Sequence, residues 1–229
     1  MSYDYSLVLK SLNENPKIGY YILGVFITDG SVRFKTEHEA TECALFSRDG
    51  DWIQLISDTL GGATKVIPKD NGYRIRFWNK EIFDWFVGRG CLPNKSLNAE
   101  FPKIPDQYLP DFLRGCIDGD GSITYTSYKK NGRSYPKVNT YLCGSSISFL
   151  KEFEIILRAR GINCSFIEKK NKASHAIQYK HPHYRVVMND SRACKFLEWI
   201  YYPNHKLSMP RKRELVAKIL GDNLFKNKA

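Results

Sequence analysis

The chain has 229 residues, 42% hydrophobic and 26% charged, which is enough to bury one large core or two small ones and too apolar for a disordered protein. Its net charge of +11 exceeds what a solvated surface needs and points to a polyanionic partner, nucleic acid first. The excess is uneven: residues 1–120 hold 14 Lys and Arg against 17 Asp and Glu, net −3, and residues 121–229 hold 21 against 7, net +14, so the second half should supply most of any non-specific attraction. No two of the six cysteines lie within four residues of each other, which excludes the spacing of a zinc site and suits reduced, buried thiols in an intracellular compartment. The longest apolar run, YYILGVFI at 20–27, is too short to cross a bilayer, so no membrane role is expected. His181-Pro182-His183, with His175 nearby, reads as a turn between strands rather than a metal-ligand set.

In chain order the pattern predicts helix, strand, strand, helix, strand, strand, helix, and then the same series again. A helix at 20–28 ends in Asp29-Gly30. Residues 31–35 alternate apolar and basic side chains as a half-buried strand does, and 44–47 form a second strand. A helix at 52–60 stops at Gly61-Gly62. A hairpin joins 65–69 to 73–78 across Asp70-Asn71-Gly72, and a helix follows at 82–87. Segment 98–109, with Pro102 and Pro105, reads as a linker between copies. The second copy runs as a helix ending in Asp120-Gly121, strands at 122–127 and 138–144 around a basic loop at 128–137, and a helix at 148–160. Strands at 164–170 and 183–188 and a helix at 192–201 complete it, and a last helix is expected over 210–225. The expected division is therefore residues 1–97 for the first repeat, 98–109 for the linker, and 110–229 for the second repeat with its C-terminal helix.

The repeat is visible in residues. YYILGVFITDGSV at 20–32 corresponds to PDFLRGCIDGDGSI at 110–123, with Asp29 and Asp120 separated by 91 positions. YRIRF at 73–77 corresponds to YRVVM at 184–188, and Lys95 to Lys206, both separated by 111, so the second copy carries twenty additional residues between motif and tail. Tyr20, Gly24 and Thr28 make one helical stripe, and Gly115 and Gly119 a matching one; small residues at that spacing let helix backbones approach. An aspartate at a helix C-terminus faces the negative end of the macrodipole, at a cost of roughly 0.3–1 kcal/mol. One Asp-Gly is an ordinary turn. The same pair twice in a repeat points to a bound cation, and Mg²⁺ suits a set of oxygen ligands that keeps several waters.

These features resemble the LAGLIDADG homing endonucleases of the single-chain, two-repeat type. The motif positions are LGVFITDG at 23–30 and LRGCIDGDG at 113–121; in the first, Ile27 and Thr28 stand where the motif usually has Asp-Ala. The resemblance implies an α+β fold of two αββαββα repeats related by a pseudo-twofold axis. In that fold the motif helices lie at the central interface and antiparallel sheets form a DNA-binding saddle. It implies a monomeric, metal-dependent endodeoxyribonuclease that makes a double-strand break in an asymmetric duplex of roughly 20 bp and leaves 3′ overhangs. Asp29 and Asp120 would hold Mg²⁺, with Mn²⁺ able to substitute, together with Thr28 and Gly119. Lys95 and Lys206 would orient water or stabilise the phosphate. The same resemblance leaves open an RNA maturase, with intron RNA as partner, or a non-cleaving DNA-binding regulator. An unrelated RNA-binding protein would suit the basic half and the 14 tyrosines but would leave the paired Asp-Gly helices unexplained.

The strand pattern nominates the DNA-reading residues, because a two-stranded ribbon fits the major groove. In the first copy these are Arg33, Lys35, Arg74 and Arg76; in the second, Thr124, Thr126, Lys129, Lys130, Arg133, Lys169, Gln178 and Arg185. The ends of the second strands add Ser47, Arg48 and Ser145, where relatives carry polar residues near the site.

Overall fold

The computed structural model describes residues 4–34, 41–62, 64–169 and 181–222; Lys35 and Gln178 lie outside the described residues. The elements are α1 (Ser6–Glu14), α2 (Pro16–Thr28), β1 (Ser31–Phe34), β2 (Thr41–Ser47), α3 (Gly50–Thr59), β3 (Ile67–Lys69), β4 (Gly72–Phe77) and α4 (Lys80–Val87). After a 3-10 turn at Asp106–Tyr108 come α5 (Leu109–Asp120), β5 (Gly121–Lys130), β6 (Arg133–Gly144), α6 (Ile147–Ala159), β7 (Ser165–Lys169), β8 (His183–Asn189), α7 (Ser191–Ile200) and α8 (Pro210–Gly221). The series α2 to α4 and the series α5 to α7 each read αββαββα. Each contributes one four-stranded antiparallel sheet, β1-β2-β4-β3 and β5-β6-β8-β7, so the class is α+β.

Two differences from the sequence reading have local causes. α1 precedes the first motif helix and was not expected; its short stripe, Val8 and Leu12, is buried. The segment 128–137, expected as a loop, is instead mostly strand. β5 and β6 pair from Gly121↔Leu142 out to Lys130↔Arg133. Only Asn131 and Gly132 turn, both with positive φ (50° and 75°), the conformation that matches the twist of a two-residue hairpin. The basic composition hid a regular ladder.

The residues pack as two compact units that cut across the sequence copies: 1–95 with 102–119 and 203–210, and 96–101 with 120–202 and 211–229. In the first unit, α2 is apolar nearly all round, as a helix buried on every side must be; Tyr21 to Ile27 are all buried. It meets residues 109–119 of α5 backbone to backbone. A Cβ on Gly24 would collide with the Phe112 carbonyl and stand 3.0 Å from Cys116 N, and one on Gly115 would collide with the Tyr21 carbonyl and stand 3.0 Å from Val25 N. The small-residue stripes therefore do what their spacing suggested.

A buried polar network ties this unit together. Trp52 Nε1 donates to Tyr21 Oη at 2.9 Å, and Tyr21 Oη to Asp118 Oδ2 at 2.7 Å. Burial, and then the Asp118 carboxylate, push the Tyr21 phenol well above its ordinary value. Arg114, fully buried, donates from Nε to the Leu207 carbonyl at 2.8 Å and pairs with Asp111 at 2.5 Å. In the second unit, α6 and α7 cover one face of the sheet, where Phe153 meets Phe196 edge-on at 5.8 Å. Ser146 caps α6 by accepting from Phe149 N at 3.3 Å, and its hydroxyl donates to the Ala99 carbonyl at 2.6 Å.

Candidate active site and nucleic-acid interface

Asp29 caps the C-terminus of α2, and Asp120 is the last residue of α5; both are exposed. In the first unit Gly119 lies against Asp29: a Cβ there would collide with Thr28 Oγ1 and stand 3.3 Å from Asp29 Cβ. Only glycine lets the α5 backbone come so close to that aspartate. The Thr28 hydroxyl donates back to the Gly24 and Val25 carbonyls at 2.9 and 3.1 Å, which fixes its side chain against the last turn of α2. Among the described residues, no group of three or more His, Cys, Asp or Glu side chains could hold a metal. What each helix end supplies is one exposed carboxylate beside the carbonyls that a helix leaves unpaired. That hard, sparse oxygen set fits Mg²⁺, which takes one or two carboxylates and fills its shell with water and phosphate.

Each helix end has a lysine. Lys95 Nζ donates to the carbonyl of Gly30, the residue after Asp29. In the second unit Lys212 Nζ donates to the carbonyl of Gly121, the residue after Asp120, at 2.8 Å. The lysine that meets the second motif's glycine carbonyl, as Lys95 meets the first's, is Lys212, whereas Lys206 is exposed in the segment before α8. The sequence pairing of Lys95 with Lys206 and this contact differ for a plain reason. Matching LPNK to PNHK keeps the sequence spacing, but the second copy runs on to Pro210 before turning into α8, and the lysine that returns to the motif comes from that helix. The signal that would have found it is Lys212 in the first turn of an amphipathic helix, on the same face as Val216 and Ile219; it is 4% exposed.

The open face of each sheet carries most of the nominated residues. On the first, the register places Arg33, Glu42, Ala44, Phe46, Arg74 and Arg76 on one side, with Val32, Cys43, Leu45, Ile75 and Phe77 in the core. Glu42 organises this surface: Oε1 accepts from Arg33 at 2.9 Å and Oε2 from Trp78 Nε1 at 3.2 Å, while the Arg76 guanidinium lies 5.1 Å from the Trp78 ring. Burial pushes the Glu42 carboxyl up, but the hydrogen bonds from Trp78 and Arg33, and the charges of Arg33 and Arg76, hold it below its ordinary value. Arg74 Nε and Arg76 Nε are buried with no hydrogen-bond partner among the described residues. On the second sheet Thr124, Thr126, Lys130, Arg133, Lys169 and Arg185 share the open face with Lys137, Asn139 and Tyr141, and Arg185 stacks 4.5 Å from the Tyr141 ring. Lys129 falls on the opposite face by the two-residue period, and at the tip Tyr128 stacks on Tyr135 at 5.6 Å. Ser47, the last residue of β2, and Ser145, just after β6, are half-buried, and Arg48 is exposed; Ser47 Oγ accepts from Asp49 N at 3.2 Å.

Comparison with known proteins fits this geometry. No family model matches the sequence. An uncharacterised protein of Methanocaldococcus jannaschii, MJ0398, is 21% identical over 217 residues, 91% of this chain and 73% of that protein. Among solved structures, I-WcaI bound to its DNA recognition sequence superposes with a TM-score of 0.55 at 12% identity, over 94% of each chain. The I-LtrWI LAGLIDADG homing endonuclease bound to target DNA gives 0.53 at 11%, over 93% of this chain and 92% of that one. A point mutant of I-SmaMI gives 0.55 at 12%, over 92% and 99%. The chain has the LAGLIDADG homing-endonuclease fold. Within that fold the two motif helices are α2 and α5. The DNA in two of the matched structures belongs to those proteins.

Proposed function

We propose that the protein is a site-specific homing endonuclease that makes a double-strand break by metal-dependent phosphodiester hydrolysis in an asymmetric duplex of roughly 20 bp. The observation that carries this reading is a repeated constellation: an exposed aspartate at a helix end, followed by a glycine whose carbonyl holds a lysine ammonium, Asp29-Gly30 with Lys95 and Asp120-Gly121 with Lys212. A structural turn needs neither the charge nor the lysine.

Asp29 and Asp120, with the main-chain oxygens of Thr28 and Gly119, would hold Mg²⁺ or Mn²⁺. The ion when bound supplies Lewis acidity toward the phosphoryl oxygen and lowers the pKa of a coordinated water. The lysines do the rest of the work near the phosphate. Each ammonium donates to the carbonyl of the glycine after the aspartate, which sets its charge at the motif end, where it would stabilise charge developing on the scissile phosphate or orient water. Arg33, Arg74, Arg76 and Arg185 are held on the sheet faces by Glu42, Trp78 and Tyr141 or by burial, which lowers the entropy lost when they read bases. Cleavage by such enzymes leaves 3′ overhangs, which is the expected product here.

The test is direct. Purified protein with Mg²⁺ should cut a DNA library that contains the insertion site of its own gene, and Ca²⁺ should allow binding with little cutting. Salt-sensitive binding with no cutting in either Mg²⁺ or Mn²⁺ would instead identify a regulator. The two lysines of the second copy also separate. Lys212→Met should slow cutting of one strand by roughly 100-fold, the size seen when one transition-state donor is removed. Lys206→Met should leave strand cutting near the wild-type rate and weaken binding slightly. Equal loss in both variants, measured by strand-labelled nicking, would return the role to Lys206.

A further inference from the structure

We propose that Asp118 is a positioning residue for the second cleavage centre, acting through the Met209 amide to set the start of α8 and with it Lys212; this rests on the nuclease reading above. Asp118 lies two residues before Asp120 and is fully buried. Its Oδ2 accepts from Tyr21 Oη at 2.7 Å and from Met209 N at 2.8 Å. Three residues further along both segments, Lys212 Nζ meets the Gly121 carbonyl. Both bonds span the same 91-residue separation, so they are successive rungs between the end of α5 and the entry to α8.

The chemistry of the second rung depends on the first. α8 begins at Pro210, which has no N–H, so the Met209 amide is the last donor before the helix. A carboxylate at that place satisfies the amide and faces the positive end of the helix macrodipole. It fixes where the first turn of α8 starts, and Lys212 is in that turn. A lysine on a long flexible stem gains a defined place only if its helix has one, and a displacement of about 1 Å at a reacting group can cost on the order of 100-fold in rate. The first copy lacks this device. Ile27, buried and apolar, occupies the position of Asp118, so the rung at Lys95 stands without it.

The experiment compares Asp118→Leu, which removes the acceptor, with Asp118→Asn, which keeps one. Tyr21→Phe removes a different donor to Asp118 and leaves Met209 in place. Asp118→Leu should slow cutting by 10–100-fold on the strand that Lys212→Met slows and leave the other strand within about threefold. Asp118→Asn should recover most of that rate, and Tyr21→Phe should show no strand bias. Amide hydrogen exchange at Met209 and over residues 210–213 should rise in Asp118→Leu and stay near wild type in Asp118→Asn. Equal slowing of both strands, or unchanged exchange at Met209, overturns the proposal. If the wild-type protein does not cut at all, the nuclease reading fails, and the exchange measurement still decides whether Asp118 sets α8.

Discussion

Asp29→Asn and Asp120→Asn should each yield a folded protein that binds its target and no longer makes a double-strand break. Asparagine keeps the shape of the side chain and removes its charge. Both positions are exposed at helix ends, so neither variant opens a cavity. Stability should hold or rise slightly, because a carboxylate at a helix C-terminus opposes the macrodipole by roughly 0.3–1 kcal/mol. Binding draws mainly on basic residues and should keep its steep dependence on salt. Cleavage should fall by about 1000-fold or more, since a neutral oxygen cannot replace an anionic ligand to a hard cation. Strand-specific assays in Mg²⁺, with binding measured in Ca²⁺, check this. If both variants still cut, the aspartates are turn residues and the centre lies elsewhere. The two sites should also differ: Asp120 belongs to the copy with net charge +14 and has Lys212 and the Asp118 clamp beside it, whereas Asp29 belongs to the copy with net charge −3.

Much of this is legible in the sequence. The αββαββα series, the Asp-Gly helix ends and the glycine stripes follow from periodicity and repetition, which are local or need only one chain compared with itself. The register that puts Arg74 and Arg76 on one face follows from the two-residue pleat. What was not legible is non-local. Lys212 reaches Gly121 across 91 residues; Pro210 marks where that helix starts, but nothing local shows which lysine returns to the motif. Glu42 reads as one more acidic residue, yet it is 1% exposed and holds both Arg33 and Trp78. The basic tip at 128–137 misled because charge masks alternation: Lys129, Lys130 and Arg133 are strand residues whose two faces are both solvated, so hydrophobic period carries no signal there.

Arg114→Met should be among the most destabilising single changes in the chain, by about 3–5 kcal/mol. The guanidinium is fully buried, and its removal takes a charged partner from the Asp111 carboxylate, also fully buried, and a donor from the Leu207 carbonyl. Methionine fills much of the volume but offers no donor. Set against a typical domain stability of about 5–15 kcal/mol, that loss leaves little. The double variant Asp111→Leu with Arg114→Met should recover much of it, because an apolar pair of similar size avoids the uncompensated charge; the Leu207 carbonyl alone then costs about 1–3 kcal/mol. Urea unfolding of the two single variants and the double one measures the coupling directly. Additive losses would mean that Asp111 and Arg114 do not act as a pair. The consequence reaches the site. Leu207 and Met209 are held by neighbouring positions of the second motif helix, Arg114 and Asp118, and the chain then enters α8 at Pro210. The double variant, restored in stability but without the Arg114 bond to Leu207, should therefore still lose rate on the Lys212 strand, which separates holding the fold together from placing the lysine.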